Sequence, residues 1–458
     1  MAVRESIDID LDKVDQLITE QQALLEPKHR ASIDYRETAR RHVAGGVASS
    51  WQAAPPHAIF IARGEGSHIW DIDGNEYVDY HLGYGAMVVG HAHPAIVEAV
   101  QRQVRRGTHF AQPTRDLDVI GENLADRFSL PLWRFCNSGT EATLEALRLM
   151  RATTGRDVVI KIEGTYHGHH DSLMFSVIPD PELMGPRDHP VTLPQAPGIP
   201  QAFADLVRVV PFNDLDAARQ AFEENRDRVA GMILEPAMMN CGVILPDPGY
   251  LRGLADLCHE FGAYLAFDEV KTGATLAYGG AVEAFGVVPD IVCLAKAIGG
   301  GTPCGAIGAT EELYRIVVDG EYDMAGTFNG NPLTMAAMKA TLTEVLTRGA
   351  YDILNHVDGY LKDGLGAAIE RHRLPAYVTG IGAKGSVIYS TTPVREYRDS
   401  FGIDERVTYL AWLFQQNGGV FKSPWAKQET WTLSVRHSDE DAQRYVDNFE
   451  AFAAALAS

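Results

Sequence analysis

The feature of this sequence that most limits how the chain can fold is an alternation of short β-prone runs with helical runs between residues 132 and 296. The β-prone runs are WRFCN, DVVIKIE, GMILEP, AYLAFDE and DIVCLAK. Such an alternation is typical of a parallel sheet whose strands are connected by helical crossovers. The sequence therefore predicts an α/β fold.

The last of these runs ends at Lys296, just before three consecutive glycines at positions 299 to 301. In an open parallel sheet, ligands bind at the carboxyl ends of the strands. A lysine held there away from bulk solvent has a lowered pKa and can attack an aldehyde as an amine nucleophile. The alternative is an ordinary surface lysine at a strand end, and this segment alone favours neither interpretation.

Length and composition narrow the possibilities further. The chain has 458 residues, several times the roughly 150 typical of one domain, so we expect one large domain with a smaller companion. Its 46% of hydrophobic residues allow a sizeable core. A net charge of −21 argues against nucleic acid and anionic membrane surfaces as partners, because both are bound by clustered Lys and Arg.

The cysteines and the N-terminus indicate the expected compartment. Five cysteines without a CxxC pair suggest neither a disulfide framework nor a zinc site and favour a cytoplasmic protein. The N-terminus lacks the apolar stretch of a signal peptide, and no apolar window is long enough for a membrane span.

The segment Asn137-Ser138-Gly139-Thr140 follows a predicted strand and precedes a predicted helix. Gly139 allows a close approach of the backbone, and the amides and hydroxyls at a positive helix end can hold a phosphate. A simple helix cap looks similar in sequence, so the motif is compatible with either role.

Two further motifs also follow predicted strands. Asp268 comes at the end of AYLAFDE, where a buried carboxylate is costly unless it meets a cation. Residues 166–170, YHGHH, place an aromatic ring and three histidines in a turn. Metal binding is an alternative for this cluster, but the histidines lack the i, i+4 spacing of a zinc-protease helix, and we expect no metal.

A phosphate-binding turn, a strand-end acid, an aromatic turn and a strand-end lysine together match one cofactor, pyridoxal 5'-phosphate (PLP). PLP takes a lysine for its Schiff base and an acidic partner for its pyridinium nitrogen. The sequence resembles the class III PLP-dependent aminotransferases of fold type I, and within that family it is most similar to the glutamate-1-semialdehyde 2,1-aminomutases. The resemblance runs through GGV (45–47), MVVGHAHPAI (87–96), NSGTEAT (137–143), TGRDVVIKIEGTYHGHHD (154–171), PFND (211–214), EP (235–236), FDEV (267–270), the lysine segment and GTFNGNP (326–332).

Fold type I implies a large domain with a mostly parallel sheet and a smaller α+β domain built from both chain ends. We expect an N-terminal helical arm over residues 1–45. The small domain is expected over residues 46–85 and 331–458, and the large PLP-binding domain over residues 86–330.

The resemblance also implies roles for individual residues. Lys296 is implied as the Schiff-base lysine, Asp268 as the partner of the ring nitrogen and Tyr166 as the ring that stacks on the cofactor, so these three are the expected catalytic residues. The further cofactor contacts implied are Ser138, Gly139 and Thr140 at the phosphate, Val270 on the other ring face, Asn240 at the ring hydroxyl, His167, and Thr327 from the neighbouring subunit of a homodimer.

Substrate contacts are expected from Trp51, Gln52, Tyr84 and Glu429. Gln52 stands where the aminomutases have an arginine for the substrate carboxylate, and glutamine lacks that charged, bidentate group. Lys271 and Arg436 are also departures from the aminomutase pattern. Either could bind a carboxylate from another direction, although a solvated charge is the favoured interpretation of both.

We therefore expect an aminotransferase that moves an amino group from an amine or amino acid donor to a carbonyl or oxo-acid acceptor. An intramolecular aminomutase is the first alternative, and a PLP-dependent racemase or epimerase is the second. The expected partners are these small molecules and a second copy of the chain.

Overall fold

The computed structural model describes residues 7–53, 55–423 and 429–457. The strands are Ile61–Glu65 (β1), His68–Asp71 (β2), Glu76–Asp79 (β3), Leu132–Cys136 (β4), Val158–Ile162 (β5), Val207–Val210 (β6), Val229–Leu234 (β7), Tyr264–Asp268 (β8), Ile291–Ala295 (β9), Gly305–Ala309 (β10), Tyr377–Ile381 (β11), Lys384–Ile388 (β12), Val420–Phe421 (β13) and Glu429–Thr432 (β14). The helices are Leu11–Leu25 (α1), Arg30–Ala39 (α2), the single turn Leu82–Gly85 (α3), Pro94–Val104 (α4), Asp116–Phe128 (α5), Gly139–Thr154 (α6), Leu215–Glu224 (α7), Tyr250–Glu260 (α8), Gly280–Phe285 (α9), Glu311–Val318 (α10), Pro332–Ala340 (α11), Arg348–His372 (α12), Glu405–Asn417 (α13) and Asp439–Ala457 (α14).

A seven-stranded sheet forms the centre of the fold, in the order β4-β10-β9-β8-β7-β5-β6. Within the run β9-β8-β7-β5-β6, each strand is parallel to the next. Every residue of β5, β7 and β9 is buried, as is typical of parallel strands covered by helices on both faces. The predicted α/β class with a mostly parallel sheet is confirmed.

One edge of this sheet differs from the expectation. Strand β10 is antiparallel to both β9 and β4, so the WRFCN run adjoins an antiparallel strand and not the parallel part. The sequence GAIGA of β10 does not predict a strand, because it is rich in glycine, which is depleted in strands. Gly305 pairs with Ala295, and the segment that begins at Lys296 is therefore the loop of a β9–β10 hairpin.

Two smaller sheets bring distant parts of the chain together. One has the order β1-β2-β3-β13, and β13 near the C-terminus is parallel to β3 near the N-terminus. The other has the order β11-β12-β14, in which Lys384 pairs with Thr432. The participation of both chain ends agrees with the expected smaller unit, while the domain boundaries themselves stay a prediction.

Two helices occupy most of the predicted N-terminal arm. Helix α1 begins after Asp10, whose side chain accepts hydrogen bonds from the amides of Asp12 and Lys13. At the end of α1, Leu25 packs with Trp412 and Leu413 of α13, so the arm lies on the C-terminal part of the same chain. Within the described ranges, no helix is long and apolar enough to cross a membrane.

Candidate active site

Lys296 lies directly after β9, as the sequence predicts. Its φ angle is +51°, a left-handed conformation that residues with a Cβ atom rarely adopt and that often marks functional sites. The side chain is half-buried, and burial together with the charge of Lys271 lowers the pKa of Lys296 to about 7, although Asp268 and Glu235 oppose this shift. A substantial fraction of Lys296 is therefore neutral and nucleophilic near neutral pH.

Asp268 is the last residue of β8, and its carboxylate is buried. Its Oδ2 atom lies 2.7 Å from Nδ1 of His167, and its Oδ1 atom accepts a hydrogen bond of 3.0 Å from the amide of Val270. His167 is thus the partner that a buried acid needs. The Nε2 atom of His167 is buried and has no hydrogen-bond partner in the part of the chain that is described.

The three histidines of the YHGHH turn have different surroundings. His167 contacts Asp268, the Nε2 atom of His170 lies 3.2 Å from the hydroxyl of Thr143, and His169 is exposed. Among the residues that the structure describes, no three His, Cys, Asp or Glu side chains are grouped as metal ligands. The turn instead supplies a partner for a strand-end acid.

Glu235 follows β7 and organises two of the predicted site residues. Its buried carboxylate accepts hydrogen bonds from the Tyr166 amide (3.0 Å), the Met239 amide (2.8 Å) and the side-chain amide of Asn240 (2.6 Å). In the sequence, Glu235 belongs to the EP motif and has no predicted role beyond it. Its position directly after a buried strand, like that of Asp268, is the signal that could have identified it.

The segment from Ser138 to Thr140 forms the start of α6, as predicted. The Oγ atom of Ser138 caps the helix by accepting a hydrogen bond from the Glu141 amide at 3.1 Å. Gly139 lies so close to Val270 that a Cβ atom at this position would be 2.8 Å from the valine side chain. The segment suits a phosphate, because the amides and the dipole of a helix N-terminus favour an anion.

Three predicted site residues form an aromatic cluster. The ring centroid of Trp51 lies 5.3 Å from that of Tyr84 and also 5.3 Å from that of Tyr166. Trp51 is 46% exposed, whereas both tyrosines are half-buried, and burial raises the pKa of each tyrosine. The tyrosines therefore stay neutral, and the cluster offers a largely apolar wall to a ligand.

Gln52, the position of the main departure from the aminomutase pattern, is exposed. Its Oε1 atom accepts hydrogen bonds from the amides of Ala48 (3.1 Å) and Ser49 (3.2 Å), which closes the turn Ser50–Gln52. The amide oxygen is thus used within the chain, and the side chain brings no charge to a substrate.

The remaining predicted residues are Thr327, Glu429 and Arg436. Thr327 is exposed, in a loop whose Asn329 accepts a hydrogen bond of 2.9 Å from the side chain of Asn137. Glu429 is the first residue of β14, but its side chain lies outside the described part of the structure. The roles of Thr327 and Glu429 stay predictions, and Arg436 is exposed, as expected.

Two further lysines lie within electrostatic reach of Lys296. Lys271 was expected to be solvated, and that expectation is wrong: its Nζ atom donates a hydrogen bond of 3.2 Å to a backbone carbonyl, and burial lowers its pKa. Lys384 was missed; it is only 6% exposed and donates a hydrogen bond of 2.8 Å to the hydroxyl of Thr432. Burial and the charges of the other two lysines hold the pKa of Lys384 well below its usual value.

Comparison with known proteins extends these observations. Residues 49–405 match the family model described as Aminotransferase class-III. The chain is 38% identical over 427 residues to glutamate-1-semialdehyde 2,1-aminomutase 1 of Staphylococcus carnosus, covering 92% of this chain and 97% of the relative. An ω-transaminase structure from Sphaerobacter thermophilus matches with a TM-score of 0.88 at 33% identity, covering 93% of this chain and 98% of that one. A glutamate-1-semialdehyde aminomutase structure from Pseudomonas aeruginosa PAO1 matches with a TM-score of 0.89 at 29% identity, covering 98% and 100%.

The family model covers most of the sequence, and the relatives align with nearly all of it, so the resemblance inferred from the motifs is confirmed. The fold type and PLP as the cofactor are confirmed with it. The chain belongs to the class III aminotransferases and is a PLP-dependent enzyme.

Proposed function

We propose that this enzyme moves an amino group from an amine or amino acid donor to a carbonyl acceptor, with Lys296 as its catalytic base. The observation that carries this proposal is the half-buried Lys296 amine, whose pKa of about 7 lets it take up and release protons near neutral pH. A protein that only stored PLP would not need an amine tuned in this way beside a buried acid.

The residues at the site fit PLP. Lys296 would hold the cofactor covalently, and Asp268 would meet its ring nitrogen. A Cβ atom at Gly168 would lie 2.6 Å from the backbone of Thr140, so the YHGHH turn packs directly on the start of α6. This packing brings the turn and the start of α6 together around one space. The remaining assignments are Ser138, Gly139 and Thr140 for the phosphate, Tyr166 and Val270 for the two ring faces, and Asn240 for the ring hydroxyl.

When bound, PLP supplies an electron sink that acidifies the C–H bond next to the transferred nitrogen. The neutral Nζ atom of Lys296 accepts the proton from that carbon. Asp268 presents a negative charge to the ring nitrogen, and its bonds to His167 and to the Val270 amide hold that charge in place.

An intramolecular aminomutase is the second candidate, because the S. carnosus relative carries that name at 38% identity. Gln52 argues against this reaction. The arginine expected of an aminomutase is absent, and the glutamine that replaces it closes a local turn.

We further infer a homodimer in a reducing compartment such as the cytoplasm. Phe328, beside Thr327, is 57% exposed in the single chain, and exposed aromatic rings are enriched at subunit interfaces. The five cysteines are free and buried, which agrees with a reducing environment.

Product analysis tests the proposed reaction. The PLP-loaded protein would be supplied with a panel of amine and amino acid donors, with pyruvate or 2-oxoglutarate as acceptor, and separately with glutamate 1-semialdehyde alone. An aminotransferase requires both substrates and forms carbonyl and amine products in equal amounts. Efficient conversion of the single substrate to its isomer would contradict our proposal and favour the aminomutase.

A further inference from the structure

We infer that Lys271 and Lys384 together bind a carboxylate group of the substrate beside Lys296. This inference rests on the proposed aminotransferase function and narrows its substrates to amino acids and oxo acids. It also assigns a direct substrate contact to both lysines.

Lys384 reaches the site through strand pairing and a glycine. It lies in β12 opposite Thr432 of β14, and its Nζ atom donates a hydrogen bond of 2.8 Å to the threonine hydroxyl. The same Nζ atom occupies the space next to Gly85, where any side chain would collide with it. Gly85 ends α3, the turn that carries Tyr84 and contacts the turn that begins at Lys296. The ammonium group therefore lies against the turn that presents the aromatic cluster.

Lys271 comes to the same region from the large sheet, three residues after Asp268. Its Nζ atom donates a hydrogen bond of 3.2 Å to the carbonyl of Met239, next to Asn240.

Backbone contacts bring the segments of Lys271 and Lys384 together. Ala383, which precedes Lys384, donates a backbone hydrogen bond of 2.9 Å to the carbonyl of Thr275. The Thr275 hydroxyl in turn donates a hydrogen bond of 2.8 Å to the carbonyl of Lys271. The positive charge of Lys271 accordingly acts on both Lys296 and Lys384.

The pKa of His81 also reflects the positive charge of the two lysines. Burial lowers the pKa of His81 to about 4 against the opposing charge of Asp79, and Lys271 and Lys384 lower it further. The Nε2 atom of His81 is buried and has no hydrogen-bond partner among the described residues. This unpaired polar atom belongs to the residue that directly precedes α3.

Neither Lys271 nor Lys384 forms an ion pair with a carboxylate in the described ranges. Asp268 and Glu235 attract Lys271, but their oxygens already accept hydrogen bonds from other groups. The lowered pKa of each lysine reflects the cost of an ammonium group without a counter-ion at this place. A bound carboxylate would stabilise the charged form of both lysines through charge-assisted hydrogen bonds.

Calorimetric titration of the PLP-loaded protein with glutarate tests this site. Lys384→Met and Lys271→Met keep most of the side-chain volume but remove one charge each. We expect each variant to bind glutarate about tenfold to a hundredfold more weakly, because a charge-assisted contact is lost. Lys28→Met is the matched control, since Lys28 is exposed and its Nζ atom donates a hydrogen bond to the carbonyl of Asn417. Glutaramide, which is uncharged, should not distinguish the wild type from either variant.

The outcomes separate the inference from the proposed function. Unchanged glutarate affinity in both variants, or no glutarate binding by the wild type, overturns the carboxylate site and leaves the aminotransferase proposal in place. If Lys384→Met does not fold, Lys384→Gln and Lys271→Met decide the question. PLP loading is followed by absorbance before any glutarate is added. The proposed function itself is overturned if the wild type does not load PLP, or if it converts no pair of donor and acceptor.

Discussion

The Nδ1 atom of His167 lies 2.7 Å from the Oδ2 atom of Asp268, and both side chains are buried. We predict that His167→Leu, which has no polar side-chain atom, lowers kcat about tenfold to a hundredfold, because the carboxylate loses a charge-assisted contact and its fixed position. The PLP content, measured by absorbance, should fall much less, since the lysine and the phosphate contacts remain.

His169→Leu is the matched control for this change, because His169 lies two residues away and is exposed. Its kcat should equal that of the wild type. A His167→Leu enzyme with full activity would show that Asp268 does not need the histidine. The visible absorption band of the bound cofactor gives a second measurement, since a purely structural change would leave its pH dependence unaltered.

The pH dependence of PLP attachment follows from Lys296. Only the neutral amine attacks the aldehyde, and burial with the charge of Lys271 lowers the pKa of Lys296 from 10.5 to about 7. The rate at which the apoprotein binds PLP covalently should therefore rise with pH and reach half its maximum near pH 7. In Lys271→Met the midpoint should move to higher pH, because a nearby positive charge has been removed.

Stopped-flow absorbance at a series of pH values measures this rate. Lys28→Met should keep the wild-type midpoint, as it removes an equal charge from the exposed surface. A midpoint near 10 in the wild type would mean that Lys296 behaves as a solvated lysine.

The proposed sharing of each active site between two subunits leads to a prediction about hybrid dimers. Thr327→Ala should weaken PLP retention, because Thr327 is exposed in its own chain and is expected to reach the neighbour's phosphate. Pairing a Thr327→Ala chain with a Lys296→Ala chain creates one site that has both residues. Two differently tagged chains allow this hybrid to be purified and assayed.

The hybrid should regain about half of the wild-type activity per dimer, since one of its two sites is complete. A hybrid of Lys296→Ala with the wild type serves as the reference for one working site. A fully active monomer, or a hybrid no better than the Thr327→Ala dimer, would contradict a shared site.

The sequence predicts the position of a site residue when that position depends on one strand alone. Lys296 and Asp268 each come at the end of a buried apolar run, and such positions collect at one edge of a parallel sheet. The contact between His167 and Asp268 spans 101 residues and depends on the order of strands, which the sequence does not reveal.

Lys384 could not be predicted for a related reason. In the sequence it stands between Ala383 and Gly385 in a short antiparallel hairpin, where a lysine usually lies on the surface. Its burial arises from the register with Thr432 and from the absence of a side chain at Gly85, which is about 300 residues earlier in the chain. Strand β10 could not be predicted because its glycines are rare in strands and give no alternation of apolar and polar residues.

The last prediction concerns Gln52. Gln52→Arg should improve binding of substrates whose carboxylate is remote from the reacting amine by about tenfold to a hundredfold, since a charged contact is added. Simple amines should gain nothing. The steady-state KM values for amino acid and amine donors measure the difference.

Gln52→Met is needed as a control, because both replacements remove the acceptor that closes the turn through the amides of Ala48 and Ser49. The two variants therefore share the loss of these two hydrogen bonds. The charge effect is therefore the difference between the arginine and methionine variants. If the unmodified protein efficiently converts glutamate 1-semialdehyde alone to 5-aminolevulinate, the isomer with its amino group moved to the terminal carbon, then another cation already binds the carboxylate. In that case Gln52 does not set specificity, and the aminomutase is the correct function.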